Sequence, residues 1–185
     1  KGADSETTLC GVINTEQKHN TSNPSLNAAI MVASNDQNSD LLTFCNACAL
    51  IKLNINVAAD DADVATIQFI QIESKSKSLS GPVTIAVGTN DCTAVIDKTV
   101  VDENGYTIAQ KMIKLTECNT EGKLGTAYQS FYIAIPAGTY EANDLSIGIY
   151  TDNDAFNYAT NLKSSFTIGR SKFLELKTTL KDNFG

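Results

Sequence analysis

The chain has no tryptophan, one histidine and three prolines among its 185 residues. It also has no apolar run near the roughly 20 residues that cross a bilayer as a helix. With a single histidine, His19, a multi-histidine zinc centre is impossible. That histidine lies in the polar stretch His19-Asn20-Thr21-Ser22-Asn23-Pro24-Ser25, which reads as loop and makes it a poor general base. The 14 basic residues form no cluster and are outnumbered by 21 acidic ones, giving a net charge of −7. Such a surface repels phosphate backbones and anionic membranes, so nucleic-acid binding is not expected. Residues 1–6 hold no hydrophobic signal region, so any export signal has been removed or never existed.

The chemical motifs of enzymes are missing as well. There is no G-x-S-x-G elbow and no phosphate-binding glycine loop; Gly81, Gly105, Gly122, Gly125 and Gly138 stand alone as turn residues. Carboxylates can meet in space as a glycosidase pair, but here they lie mostly in turns, where solvation is the default. Thr151-Asp152-Asn153-Asp154-Ala155-Phe156-Asn157 offers oxygen ligands for calcium. Counted from Asp152, however, an EF-hand loop needs glycine and glutamate where Asn157 and Lys163 stand, so a solvated turn is the better reading. Asn20-Thr21-Ser22 matches a glycosylation sequon of little weight. No catalytic, cofactor-binding or metal-binding residue is assigned, no cofactor is expected, and the chain is read as a non-enzyme.

The five cysteines, Cys10, Cys45, Cys48, Cys92 and Cys118, leave at least one thiol free or paired between chains. Cys45 and Cys48 form a CxxC, yet they sit in Phe44-Cys45-Asn46-Ala47-Cys48-Ala49-Leu50-Ile51, which reads as a strand entering the core. A redox CxxC opens a helix. Buried packing thiols are favoured over a disulfide to Cys92 or Cys118, and that over metal or redox chemistry.

What the chain does have is alternation. Residues 1–40 form a polar arm in which only residues 28–33 look like a strand, and residues 41–185 form the main domain. Ile51, Leu53, Ile55 and Val57 share one face while Lys52, Asn54 and Asn56 face water. Strands follow at residues 67–72, 83–87, 94–96 and 108–115, the last entered through the Asn104-Gly105 turn pair. Phe131, Ile133 and Ile135 share a face, as do Leu145, Ile147 and Ile149, before strands at 162–168 and 173–176. A short helical turn is placed within residues 155–162. About seven to nine short strands without a useful helix predict an all-β fold, an antiparallel two-sheet β-sandwich.

Leu41-Leu42-Thr43-Phe44-Cys45-Asn46-Ala47-Cys48-Ala49-Leu50-Ile51-Lys52-Leu53 resembles the F-x-N-x-x-A-L-[IL]-K-[FL] strand of the fimbrillin-like proteins of Bacteroidales, the type V pilins and their relatives. Ala65-Thr66-Ile67-Gln68-Phe69 with Ser78-Leu79-Ser80-Gly81 is similar to that family's strand and L-[AS]-G unit. Phe131-Tyr132-Ile133-Ala134-Ile135-Pro136-Ala137-Gly138-Thr139-Tyr140 resembles its Y-[IV]-x-[IVL]-P-x-G-x-Y segment, and Ile168-Gly169-Arg170-Ser171-Lys172-Phe173 its link to the last strand. The match spans about residues 41–177 in one shared order.

The resemblance implies a transthyretin-like sandwich, export as a lipoprotein, and a place at the cell surface and outer membrane, in a fimbrium or as an adhesin. Its implied partners are other pilus subunits or the same chain by strand exchange, with a host or bacterial surface receptor. In such pilins a protease removes an N-terminal strand and a strand of the next subunit fills the groove, which is β-strand addition. Residues 28–33 and 173–180 are the expected exchanged elements. Full fimbrillins carry two lobes, and this chain matches the second; Thr7-Thr8-Leu9-Cys10 lacks the hydrophobic run of a lipobox. The alternative is a surface-anchored lipoprotein module that binds glycans, for which Tyr106, Tyr128, Tyr150 and Tyr158 would gather into one patch.

Overall fold

The computed structural model describes residues 7–20, 30–35, 42–87 and 92–183. In chain order the first strands are β1 (Thr7–Ile13), β2 (Glu16–Lys18), β3 (Met31–Asn35), β4 (Leu42–Asn46) and β5 (Ala49–Val57). Then come β6 (Ile67–Ser74), β7 (Gly81–Val87), β8 (Ala94–Ile96), β9 (Met112–Thr116) and β10 (Gln129–Ile135). The last are β11 (Gly138–Tyr140), β12 (Leu145–Thr151), β13 (Tyr158–Asn161), β14 (Phe166–Ile168) and β15 (Phe173–Leu180). The fold is all-β, a sandwich built on two main sheets.

One main sheet runs β13-β12-β6-β9-β2 and the other β10-β5-β15. Period-two alternation accounts for the core between them. Ile147 and Ile149 of β12 lie opposite Ile72 and Ile70 of β6, which in turn face Ile113 and Leu115 of β9. In the other sheet Ile51 and Leu53 of β5 pair with Ile133 and Phe131 of β10. All ten of these side chains are buried in one cluster. Their number sets the main source of stability, since each large side chain removed from water contributes roughly 1.5–3 kcal/mol. A bulge opposite Tyr150 and Thr151 shifts the register so that Ile67 and Ile70, three apart, both point inward. Smaller sheets β1-β7-β8, β3-β4 and β11-β14 flank this core.

Several expectations are corrected. Among the described residues there are fifteen strands rather than seven to nine, because flanking ladders as short as three residues carry no readable alternation. Two ladders are parallel, β15 on β5 and β2 on β9, beside eight antiparallel ones. The arm holds more than one strand: β1 and β2 lie within it, and the strand expected at 28–33 runs Met31–Asn35, with residues 28 and 29 outside the described set. The strand expected at 108–115 begins only at Met112. Residues 162–168 are strand only over Phe166–Ile168, and the last strand extends to Leu180 rather than Leu176. The helical turn is a single 3-10 turn, Asp154–Phe156, after which Tyr158–Asn161 is strand.

The turn chemistry at Asn104-Gly105 holds. Gly105 takes φ +83°, and the Asp102 carboxylate accepts from the Asn104 and Tyr106 amides at 2.9 Å each. The hairpin it closes is one isolated bridge, Val101 to Thr107, rather than the start of a long strand.

Candidate functional site: an open flank between two strand edges

A two-sheet sandwich has two flanks where the sheets part, and this chain treats them differently. On one flank β2 borders the five-stranded sheet and β10 borders the other. Gln17 of β2 is buried and points across the gap. Its Nε2 donates to the Ala134 carbonyl at 2.8 Å, and its Oε1 accepts from the Ala134 amide at 2.9 Å. Ala134 stands opposite Leu50 in the β10–β5 ladder, and its polar groups turn outward to the free edge of β10. One side-chain amide therefore substitutes for a strand rung, satisfying a donor and an acceptor that burial would otherwise leave orphaned.

His19 completes this closure. It was expected in a solvated loop, but its ring is buried 4.7 Å from the Phe131 ring and its Nε2 lies 2.6 Å from Glu121 Oε1. Its amide donates to the Thr116 carbonyl at 2.8 Å, which extends the β2–β9 ladder by one residue. The polar residues of the arm misled because their polar atoms find partners inside the fold.

The opposite flank is open. β15 pairs with β5 on one edge and β13 with β12 on one edge; among the described residues neither has a ladder partner on its other edge. Between them lies a depression of about 120 Å³ walled by Leu53, Ile147, Ile149, Tyr158, Leu162 and Leu176. A second depression of about 250 Å³ adjoins it, where Phe166 and Leu174 meet Leu162 and Leu176. Leu174, Leu176 and Leu180 are the inward positions of β15, opposite Ile51, Leu53 and Val57 of β5. Leu174 and Leu176 stay only partly buried, with no strand beyond them among the described residues, whereas Leu180 is buried. At that end the chain crosses the gap: the Asn183 amide donates to the Ala155 carbonyl at 2.9 Å and its Nδ2 to the Asn157 carbonyl at 2.7 Å. The result is an apolar groove closed at one end, with two sets of strand-edge hydrogen-bonding groups along its sides.

A polar lattice on the solvent side holds β15 to β5. Asn54, expected to face water, is buried; its Nδ2 donates to Glu175 Oε1 at 2.6 Å and its Oδ1 accepts from Ser130 Oγ at 2.6 Å. Lys52 Nζ reaches the same Glu175 oxygen at 3.2 Å. The Asn54 hydrogen bond, then Lys52, hold the Glu175 carboxyl below its ordinary range. Thr179 Oγ1 bonds Asn56 Oδ1 at 2.7 Å.

The other sequence candidates resolve as structure. The CxxC spans the bend between β4 and β5 rather than one continuous strand. Cys48, Cys92 and Cys118 are free and buried, while Cys10 is free and exposed; the Cys45 side chain lies outside the described residues. Burial raises the Cys48 thiol and pushes Cys118 up to about 12. Cys48, Cys92 and Cys118 all pack in the core cluster.

In the acidic loop, Asp152 Oδ1 accepts from the Thr66 amide at 2.6 Å, Asn153 Oδ1 from the Ala155 amide at 3.2 Å and Asn157 Oδ1 from the Thr151 amide at 2.8 Å. Its oxygens shape the turn. Asn20 of the sequon is exposed, and its Thr21 and Ser22 lie outside the described residues.

The four tyrosines do not gather. Tyr158 packs against the core beside buried Ile149, its partner in the ladder, while Tyr150 takes the outer face of the same sheet. Tyr128 lies under Lys177 of the other sheet, and Tyr106 projects from the Asn104-Gly105 turn.

No protein-family model matches the chain, and no curated protein does. Among solved structures, a fimbrial protein from Bacteroides vulgatus is similar at 15% identity and a TM-score of 0.29, over 77% of this chain and 55% of that one. This chain thus spans about half the length of that protein. The functional reading rests on the chain's own residues.

Proposed function

We propose that this chain is a structural or adhesive cell-surface protein of fimbrillin-like type, a fimbrial (type V pilus) subunit or adhesin, which joins its partner by β-strand addition along the β13/β15 groove. The observation that carries the reading is the unequal treatment of the two flanks. One is closed in cis by Gln17 and His19; the other presents bare strand edges over Leu53, Leu162, Leu174 and Leu176. An unpaired edge beside apolar surface invites pairing with another chain, and alternate side chains of an added strand would occupy the groove and fix its register. The four ordered sequence motifs support the same family, and with it a place at the outer membrane, in a fimbrium. No helix among the described residues is long and apolar enough to span a membrane. The proposal involves no catalysis and no cofactor.

The test is assembly. The purified chain is run in SDS without boiling, before and after limited trypsin treatment, beside negative-stain microscopy. Ladders that collapse on boiling are expected, and their loss in Leu176→Asp. Monomer bands throughout, with no oligomer of any kind in solution, would refute strand addition.

A further inference from the structure

The outer face of the five-stranded sheet carries a second feature, unrelated to the groove. Three side chains line up across three strands: Lys114 of β9 sits 4.3 Å above the Phe69 ring, and Phe69 of β6 stacks on Tyr150 of β12 at 4.4 Å and 17°. The next strand in that direction is β13. There the row stops: β13 begins at Tyr158, opposite Ile149, so Tyr150 has no ladder partner on it, and the next outward pair along, Gly148 and Ala159, carries almost no side chain.

The glycine is required. Tyr150 leans back along its own strand, so that a Cβ at position 148 would lie 2.8 Å from Tyr150 Cε2. Tyr150 thus leans over Gly148 and borders a depression of about 170 Å³ that Gly148 and Ala159 also line. Gln71, Glu73 and Ser146 complete its rim. Gln71 Nε2 donates to Glu73 Oε1 at 2.5 Å. That leaves Gln71 Oε1, Glu73 Oε2, Ser146 Oγ and Tyr150 Oη without a protein partner among the described residues.

We propose that this depression is a binding subsite for one neutral pyranose ring, stacked on Tyr150, with Gln71, Glu73 and Ser146 taking its hydroxyls. A pyranose offers an apolar C–H face to an aromatic ring and hydroxyls at its edge, and the site supplies both complements. The volume lies below the roughly 300–1,000 Å³ of drug-sized pockets, so it fits a single ring, such as one residue of a longer glycan. The Glu73 carboxylate disfavours an anionic ligand, and the Lys114 ammonium is already engaged on Phe69.

The test is an amide NMR titration of the isotopically labelled chain. The probes are methyl glycosides and short oligosaccharides of the gluco, galacto, manno and N-acetylhexosamine series. At least one probe is expected to shift the Gly148, Tyr150 and Ala159 amides saturably. Tyr150→Ala should weaken it by about tenfold or more, and Ala159→Leu, at an exposed position, should block it without lowering Tm. Tyr150→Phe keeps the ring and should retain most of the affinity. The inference is overturned if no probe at millimolar concentration moves those amides, if Tyr150→Ala binds as the parent does, or if the shifts map elsewhere. None of these outcomes bears on assembly through the groove, which the SDS ladders read separately.

Discussion

Gln17 gives the sharpest test of how the sandwich is closed. Replacing it with methionine keeps the length and apolar volume of the side chain and deletes only its amide. The Ala134 N–H and C=O, now bonded at 2.9 and 2.8 Å, would then face an apolar side chain in a site where Gln17 is 1% exposed. An orphaned buried donor or acceptor costs about 1–3 kcal/mol, so two predict a loss of about 2–6 kcal/mol. Against a typical domain stability of about 5–15 kcal/mol this is a large share. At about 2–4 °C per kcal/mol for a chain of this size, Tm should fall by at least about 4 °C. Urea titration gives the free energy directly, and hydrogen exchange reports the site: the Ala134 amide should lose protection before its neighbours in β10. A loss below about 1 kcal/mol with an unchanged m-value would refute the idea that the amide acts as a rung. Gln17→Glu is expected to be worse than methionine at neutral pH, because it keeps an acceptor for the Ala134 amide but buries a charge against the Ala134 carbonyl.

Cleavage by trypsin after Lys18 should be slow in the native chain, since Lys18 and His19 are held by the β2–β9 ladder, and faster in Gln17→Met; equal rates would argue against the clasp. Alkylation at pH 8 with peptide mapping should label Cys10 readily and Cys48, Cys92 and Cys118 only after denaturation. Asp144 provides a pH test. Burial pushes its carboxyl up, but hydrogen bonds from Ser74 Oγ at 2.8 Å and the Ser76 amide at 2.9 Å outweigh this and hold it below the ordinary range. A depressed folded pKa stabilises the fold above the unfolded value of about 4 and stops doing so as pH falls through the lower folded value. Asp144→Asn should therefore lower Tm at pH 7 and flatten its acid dependence; the same acid slope in both proteins would contradict it.

The strands that build the core were legible because burial on one face writes itself as alternation. Ile51 to Val57, Phe131 to Ile135 and Leu145 to Ile149 needed nothing further. Gln17 and His19 could not be found that way, since a polar residue that bonds inside the fold has the same letter as one that bonds water. Asn54 failed for the same reason: period two placed it outward correctly, but the Ser130 and Glu175 side chains that cover it come from strands far away in sequence. The groove was half visible. A last strand at 173–176 was legible, yet whether another strand lies beyond β15 is a matter of sheet order, which a single strand's pattern does not encode.

Sheet order also decides what an added strand must look like. Backbone hydrogen bonds along an edge contribute a net of about 0.5–1.5 kcal/mol each, while fixing each residue of a flexible donor costs about 1–2 kcal/mol. The ladder alone therefore does not hold a donor. Burial of large side chains in the groove, at roughly 1.5–3 kcal/mol each, tips the balance. A donor for the β13/β15 flank must then be alternating and apolar at every second position, with its bulky residues over the Leu53–Leu176 wall and the Leu162–Phe166 wall. A synthetic strand with that pattern should compete with assembly, and the same composition in scrambled order should not. Leu176→Asp removes one wall and places a charge where the donor side chain must go. It should abolish assembly and also lower Tm, because Leu176 already packs against the core before a donor arrives, so assembly is read well below the variant's own Tm.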